Sequence, residues 1–257
     1  YCIDTDEKRL KALKWTPIND VWGVGIRHSK KLKALGVKSA LDFVNLPDSW
    51  VKKNLSILGL RLKRDLEGAP TIQLEEFAPK KKSIATTRSF KNTITTFSDL
   101  EERITTYTLL GAEKLRKQQS CASAIYVFVR SNPFQKQAEQ YRNGFTVKLP
   151  YATDSSIILN QYAINGLRNI FKSGIEYKKA GILLLGLTPS TSRQMSLFEK
   201  DTTKHSALME TMDNIHRRFG PHRMKLGSQD LKQTWKMRRD YLSNRFTTEI
   251  NEVIKVK

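Results

Sequence analysis

The sequence predicts an α+β fold: a small helical domain, a β-α-β-β-α-β domain whose four-stranded sheet carries two helices on one face, and a partly helical tail. Three observations predict it. Apolar residues first recur at helical spacing, then short apolar runs alternate with longer helical patterns, and finally the composition turns polar. The predicted divisions are a helical domain at 1–77, a basic linker at 78–83, the sheet domain at 84–188 and the tail at 189–257.

Short helices broken at glycine account for the first domain. Their apolar residues fall on one helix face, and glycine is a poor helix former. The predicted helices are Ser29–Leu35, Ala40–Leu46, Trp50–Leu58 and Leu60–Leu66. The acids Asp4, Asp6 and Glu7 have no sheet beneath them and are interpreted as a solvated helix face.

The linker opens with Ala-Pro-Lys-Lys-Lys at residues 78–82. Proline blocks a helix, and three adjacent like charges repel one another. The linker is therefore predicted to be extended and exposed, and Lys80, Lys81 and Lys82 are candidate contacts to a nucleic-acid backbone.

The sheet domain is predicted from a change of period. Alternating or continuous apolar runs indicate strands, and two longer amphipathic stretches indicate helices. The strands are Ile84–Phe90, Ala124–Arg130, Gly144–Leu149 and Ala180–Leu187, and the helices are Ser98–Lys117 and Ser155–Phe171. Right-handed crossovers place both helices on one face. The tail is expected to hold helices at His205–Phe219 and Gln229–Leu242, without a large core of its own.

The charge balance indicates the class of partner. There are 45 Lys and Arg residues against 25 Asp and Glu, a formal net charge of +20, which draws the chain toward polyanions and first of all nucleic acid. No run of about 18 apolar residues occurs, so no membrane association is expected. Neither Cys2 nor Cys121 has a Cys or His at zinc-ligand spacing, which predicts no metal site and suits a reducing cytoplasm.

A glycine turn precedes the first predicted helix. Gly23 and Gly25 allow a turn without a Cβ clash, so backbone N–H groups from Gly23, Val24, Gly25 and the helix start can face a phosphate. Arg27, Lys30, Lys31 and Lys33 surround that helix start and would add salt-dependent contacts without a sequence code. With the second turn at Leu35-Gly36-Val37, the segment resembles a helix-hairpin-helix. The alternative is a turn that only joins two helices.

The predicted sheet offers further cations. Arg88 and Ser89 close its first strand beside the basic linker, and Arg130 and Lys148 lie on strands where they would decorate one face. For Arg130 and Lys148 the alternative is plain solvated charge. Phe90 is expected in the core.

The tail contains a short apolar peptide in a polar stretch. It consists of Gln194, Met195, Ser196, Leu197 and Phe198. Such a peptide can dock its apolar side chains in a partner's pocket while the glutamine fixes the register by hydrogen bonds. The alternative is that Leu197 and Phe198 fold back onto this protein's own sheet.

Several of these segments, in this order, resemble the Y-family DNA polymerases, and within them the UmuC branch. The resemblance covers nearly the whole chain. It rests on Val21–Gly25 with Leu35–Val37, on Gln73–Pro79 followed by Arg88–Phe90, on Gln194–Phe198, and on the stretches Trp235–Arg239 and Leu242–Thr248. The first matches the thumb hairpin of that family, the second its junction to the little finger, and Gln194–Phe198 its β-clamp peptide, with Met195 where Leu is commoner.

The resemblance implies a part of an error-prone translesion polymerase of the bacterial SOS response, located in the cytoplasm at the nucleoid. The part would bind primer-template DNA, the β sliding clamp, and further the UmuD′ dimer and a RecA filament. The family's catalytic carboxylates and their Mg²⁺ ions belong to a palm that precedes the thumb. Since residue 1 is Tyr and no palm pattern is present, we expect a shortened chain with no catalytic residue and no cofactor.

Two other functions compete with this interpretation. Helix-hairpin-helix elements also occur in DNA glycosylases and lyases, and Lys38 and Asp42 occupy a stretch where a nucleophile and an aspartate would stand. The mixed sheet that follows argues against a helical base-flipping domain. The third function is a truncated, non-catalytic regulator that competes for the clamp.

Overall fold

The computed structural model describes residues 2–74, 76, 79–135, 137–192, 203–220, 223–229 and 241–254. These residues form seven α-helices and one four-stranded antiparallel sheet, which confirms the predicted α+β class. The chain separates into two units, Tyr1–Ala78 and Pro79–Lys257.

The first unit is helical. Its helices are α1 (Asp6–Trp15), α2 (Ile26–Ala34), α3 (Ala40–Val44) and α4 (Asp48–Leu66). Thr5 caps α1, and Ser39 forms a capping box with Asp42 at the start of α3, so the backbone donors of these two helix starts are satisfied locally. The helices close over buried apolar side chains that include Ile18, Leu32, Ala40, Phe43 and Val51.

Helix α4 is interrupted one turn earlier than predicted. The prediction placed the break at Gly59, but the residue with non-helical backbone is Ser56, at φ 68° and ψ −175°. Gly59 instead lies inside the helix, where a Cβ would overlap the side chain of Leu55. This glycine therefore allows close packing, and the hydroxyl of Ser56 accepts a hydrogen bond from the Leu58 N–H at the break.

The second unit has the predicted order of strands and helices. Its elements are β1 (Ile84–Ile94), α5 (Phe97–Lys117), β2 (Ser120–Ser131), β3 (Arg142–Thr153), α6 (Ser156–Ile170) and β4 (Tyr177–Pro189). The strands are antiparallel neighbours in the order β1-β4-β2-β3, and every strand is longer than predicted.

Both helices of the second unit cover one face of the sheet, as predicted. Ile125, Val127, Ile182 and Leu184 point into the same core as the apolar face of α5 and α6. Phe90 belongs to this core too. Because side chains alternate along a strand, the residues between these positions face the other way. That other face carries Tyr126, Phe128 and a set of cations, and it is called the open face below.

The tail adds a helix to the outer side of this layer. Helix α7 (Thr203–Phe219) confirms the predicted helix, and its Met209 and Met212 pack with Leu109 of α5 in a small separate cluster. Of the predicted helix Gln229–Leu242, residues 230–240 lie outside the described residues. Near the end of the chain, Arg245 and Glu252 form an ion pair at 2.9 Å.

None of the helices described is long and apolar enough to cross a membrane. Cys2 is exposed and Cys121 is buried, and neither forms a disulfide bond within the described residues. In the described part of the chain, no three His, Cys, Asp or Glu side chains are grouped so that they could hold a metal ion.

Candidate nucleic-acid interface

The glycine turn leads directly into α2. Gly23 has φ +95°, which a side chain would strain, and Gly25 is the N-cap residue. The Val24 N–H donates to the Val21 carbonyl at 3.0 Å, so that N–H serves the turn itself. Gly25 offers no side-chain cap, which leaves the first N–H groups of α2 for solvent or a ligand.

The cations around this turn have different surroundings. Arg27 and Lys30 are exposed at the start of α2. Lys31 donates from Nζ to Oδ1 of Asn54 at 2.8 Å, and Lys33 donates to Oδ1 of Asn19 at 2.8 Å. Arg27 and Lys30 are therefore better placed to reach a phosphate than Lys31 and Lys33. The helix-hairpin-helix interpretation itself stays a prediction.

Asp42 has a structural role at the start of α3. Its Oδ2 accepts hydrogen bonds from the N–H groups of Ser39 at 2.9 Å and Lys38 at 3.0 Å. These backbone donors, that of Ser39 first, hold the pKa of Asp42 below its ordinary value. Helix capping explains both the position and the lowered pKa of the Asp42 carboxylate. The lyase interpretation of Lys38 and Asp42 gains no support from the geometry.

The backbone of the basic linker is held at Lys81, within the second unit. The side chain of Gln118 accepts from the Lys81 N–H and donates to its carbonyl, both at 3.0 Å. The side chains of Lys80, Lys81 and Lys82 are all exposed. One glutamine thus fixes the backbone of the segment and leaves its charges in solvent.

A row of cations crosses the open face. In the register of the sheet, Ser89 pairs with Lys179, Lys179 with Arg130, and Arg130 with Arg142. Cross-strand partners have their side chains on the same face. This row of three cations, Lys179, Arg130 and Arg142, borders a depression also lined by Tyr126, Phe128 and Leu183.

The row has no internal counter-charge. Within the described residues, none of the three cations forms an ion pair, and the buried Nε of Arg130 has no hydrogen-bond partner. Lys148 pairs with Ala124 of β2. Ala124 and Arg130 are separated by an even number of positions on β2, so both, and Lys148 with them, lie on the open face. The structure thus brings Ser89, Arg130 and Lys148 onto one surface.

Arg88 does not join that surface. It pairs with Ala180, a core residue, and therefore points to the helix side of the sheet. Burial raises the pKa of Tyr107 on α5 to about 12, and the positive charges of Arg88 and Arg103 oppose that shift. Arg88 is thus placed beside α5, away from the cations of the open face.

Sequence reasoning missed Arg142, Lys179, Tyr126 and Phe128 as site residues. Arg142 and Lys179 lie just outside the predicted strands Gly144–Leu149 and Ala180–Leu187, so no face was assigned to them. The alternation of side chains continues beyond the apolar runs that were used to predict these strands. Extending it by one or two residues would have placed Arg142 and Lys179 on the face of Arg130. Tyr126 and Phe128 lie within a predicted strand, at alternate positions that share the face of Arg130.

The predicted clamp peptide, Gln194, Met195, Ser196, Leu197 and Phe198, lies outside the described residues, as does Trp235–Arg239. A short 3₁₀ helix at Ser190–Ser192 follows β4, and α7 starts at Thr203.

Comparison with known proteins gives two matches to family models. Residues 81–197 match the impB/mucB/samB family C-terminal domain. Residues 206–256 match a domain of unknown function, DUF4113. The first match covers most of the sheet-bearing second unit, and the second covers most of α7 and the residues after it.

Individual relatives agree with these matches. The chain is 34% identical to the protein UmuC of Salmonella typhimurium over 98% of its own length and 60% of the relative. It is 32% identical to the protein MucB of Escherichia coli, over 96% of the chain and 59% of the relative. A DNA polymerase IV of Bacillus velezensis is 20% identical over 90% of the chain and 56% of the relative.

The chain spans about 60% of the length of UmuC, and the aligned part is the C-terminal part of that relative. By its domain match and these identities, the chain is a UmuC-like C-terminal region whose residues 81–197 form an impB/mucB/samB family C-terminal domain.

Proposed function

We propose that this chain is the DNA-binding C-terminal part of a UmuC-like, error-prone translesion DNA polymerase, and that it holds primer-template DNA through the phosphate backbone. The observation that carries this proposal is the cation row Lys179, Arg130 and Arg142 on the open face.

Like charges on directly opposite residues destabilise a sheet. The three cations of the row are neighbours and have no carboxylate partner among the described residues. They therefore repel one another, and a bound anion would reduce this repulsion. A phosphate backbone supplies closely spaced negative charges and reaches such a surface without any base contact. Binding would therefore be independent of sequence and sensitive to salt.

The first unit supports the same function with a surface of its own. The uncapped start of α2 presents backbone N–H groups, and Arg27 and Lys30 lie exposed beside it. Helix starts of this kind favour anions because of the helix dipole and the unsatisfied donors. The exposed linker side chains Lys80, Lys81 and Lys82 add positive charge.

The tail is proposed to tether this DNA-binding part to the β sliding clamp through Gln194–Phe198. A tether makes rebinding effectively intramolecular, so that even a weak peptide raises the time spent on DNA. In this proposal the catalytic palm with its Mg²⁺ ions, and contacts to UmuD′ and RecA, belong to the complete polymerase assembly.

Fluorescence anisotropy with a labelled primer-template tests the DNA-binding part of the proposal. Replacing Arg130, Arg142 and Lys179 by Ala is expected to weaken binding and to make the dependence of log K on log salt shallower by about 2 to 3. The matched control replaces Lys114, Lys117 and Arg168 by Ala. These cations are exposed on α5 and α6, so the control loses the same charge from the covered side of the sheet.

Equal effects of the two triple variants would show attraction to the net charge alone and would contradict a role for the open face. Affinity that did not change with salt would contradict backbone binding altogether. The tether is tested separately, by binding to purified β clamp. The Leu197→Ala/Phe198→Ala variant should lose this binding and keep its affinity for DNA.

A further inference from the structure

Two aromatic rings lie on the open face beside the cation row. The rings of Tyr126 and Phe128 have centroids 6.0 Å apart and planes inclined by 21°. Side chains on a strand ordinarily stand roughly perpendicular to the sheet. A ring that leans over a neighbouring strand instead needs room there.

Two glycines provide that room. A Cβ on Gly144 of β3 would overlap the ring of Tyr126, and a Cβ on Gly181 of β4 would lie 2.8 Å from Cε1 of Phe128. Each ring thus lies over a glycine of a neighbouring strand, and Thr87 shares the space above Gly181 with Phe128. Both rings line the depression on the open face and are half-buried, which fits one covered and one accessible side.

The rings and the cations form one surface. Phe128 and Arg130 alternate along β2, and Lys179 and Arg142 flank Arg130 on the two neighbouring strands. No acidic residue occupies an open-face position in the paired stretches of the four strands. The surface therefore combines an aromatic platform with positive charge, the combination that binds unpaired nucleotides through stacking and phosphate contacts.

We infer that Tyr126 and Phe128 stack on an unpaired base of single-stranded nucleic acid, while Lys179, Arg130 and Arg142 hold the adjacent phosphates. The inference rests on the proposed DNA-binding function and adds a preference to it. In a duplex the faces of the bases are covered by their neighbours, so stacking on the platform requires a single strand. Backbone contacts alone would make no such distinction.

Coverage of the glycines by the rings also stabilises the sheet by itself. A test must therefore separate binding from folding. The Tyr126→Leu/Phe128→Leu variant keeps apolar cover over the glycines but removes the aromatic faces. The matched control is Phe145→Leu. Phe145 is an exposed aromatic of β3 whose partner Val127 belongs to the core, so its side chain lies on the helix side of the sheet.

Affinity of the full chain for a labelled single-stranded oligonucleotide and for a duplex of the same length is the first measurement. The Tyr126→Leu/Phe128→Leu variant is expected to lose roughly tenfold or more in single-strand affinity, with duplex affinity nearly unchanged, while Phe145→Leu retains both. Unchanged single-strand affinity, or an equal loss for both forms, would overturn the stacking inference and leave backbone binding in place.

A second measurement needs no variant. Irradiation of the wild-type chain with an oligonucleotide containing 5-iodouracil, followed by mass spectrometry, should place the cross-link at Tyr126 or Phe128. Cross-links confined to other residues would overturn the inference. A wild-type chain that bound neither single strand nor duplex would overturn the proposed function together with it.

Discussion

The guanidinium group of Arg116 on α5 forms a bidentate ion pair with the carboxylate of Asp213 on α7. Nε lies 2.6 Å from Oδ2, and Nη2 lies 2.7 Å from Oδ1. Nη1 of the same side chain donates to the Asp154 carbonyl at 2.8 Å and to Oγ of Ser156 at 3.1 Å. One arginine thus joins the tail helix to α5 and to the start of α6.

Removing this arginine should loosen α7. The Asp213 side chain is only 17% exposed beside Arg116. Because Arg116→Ala removes its charged partner, we expect docking of α7 to weaken by roughly 1.5 to 3 kcal/mol. Hydrogen exchange of the α7 amides measures the change. Lys117→Ala is the control because its ion pair with Glu113 is 74% exposed on the lysine side and contributes about 0 to 1 kcal/mol. Equal protection of α7 in both variants would contradict the role of Arg116.

The cap at Asp42 should make the first unit sensitive to acid. Its pKa is lowered because the N–H groups of Ser39 and Lys38 bind the ionised carboxylate. The stabilisation is therefore complete above the ordinary carboxyl pKa and is lost as pH falls through the lowered folded-state value. Asp42→Asn replaces the charged acceptor of the capping box by a neutral one, which should cost about 1 kcal/mol at neutral pH and remove this acid-dependent part.

Denaturant unfolding from neutral to acidic pH measures the effect of Asp42. Glu7→Gln is the control, since Glu7 is an exposed acid in the first turn of α1 with a similar change of charge. The same loss of stability at every pH in both variants would rule out the cap as the cause.

Even a methyl side chain at position 181 should destabilise the second unit. A Cβ there would lie 2.7 Å from Cβ of Thr87 and 2.8 Å from Cε1 of Phe128. Overpacking of this kind costs about 1 to 3 kcal/mol, so Gly181→Ala is expected to destabilise the second unit by that amount. Gly227→Ala is the matched control because no atom of the described residues lies within 4 Å of its Cβ position. Thermal unfolding that does not distinguish the two variants would show that Thr87 and Phe128 do not pack closely over Gly181.

At position 56, glycine should give a more stable protein than alanine, which is the reverse of the order at an ordinary helix position. Its φ of 68° and ψ of −175° fall in a region that glycine alone adopts readily. We expect Ser56→Gly to be more stable than Ser56→Ala by about 1 kcal/mol. At Lys53, in the regular first half of α4, alanine should be favoured over glycine by about 1 kcal/mol. Denaturant unfolding of the four variants measures both differences, and the same order at both positions would show that Ser56 is not strained.

Most elements of the fold could be predicted from local patterns. Alternation in Ala124–Arg130 and the apolar run in Ala180–Leu187 predicted β2 and β4, and the long amphipathic stretches predicted α5, α6 and α7. Each of these signals depends only on which side chains share a face of one helix or strand. The break in α4 was misplaced because a glycine can serve close packing as well as a turn, and only the contact of Gly59 with Leu55 distinguishes the two.

The sequence by itself determined the α+β class, the positive charge, and the family to which the motifs point. The tertiary structure decided that Lys179 and Arg142 stand on either side of Arg130, that Arg88 faces the helices, and that Arg116 meets Asp213. These are relationships between residues that are distant along the chain. They follow from strand register and helix packing, which are set by the whole core and leave no local pattern in the sequence.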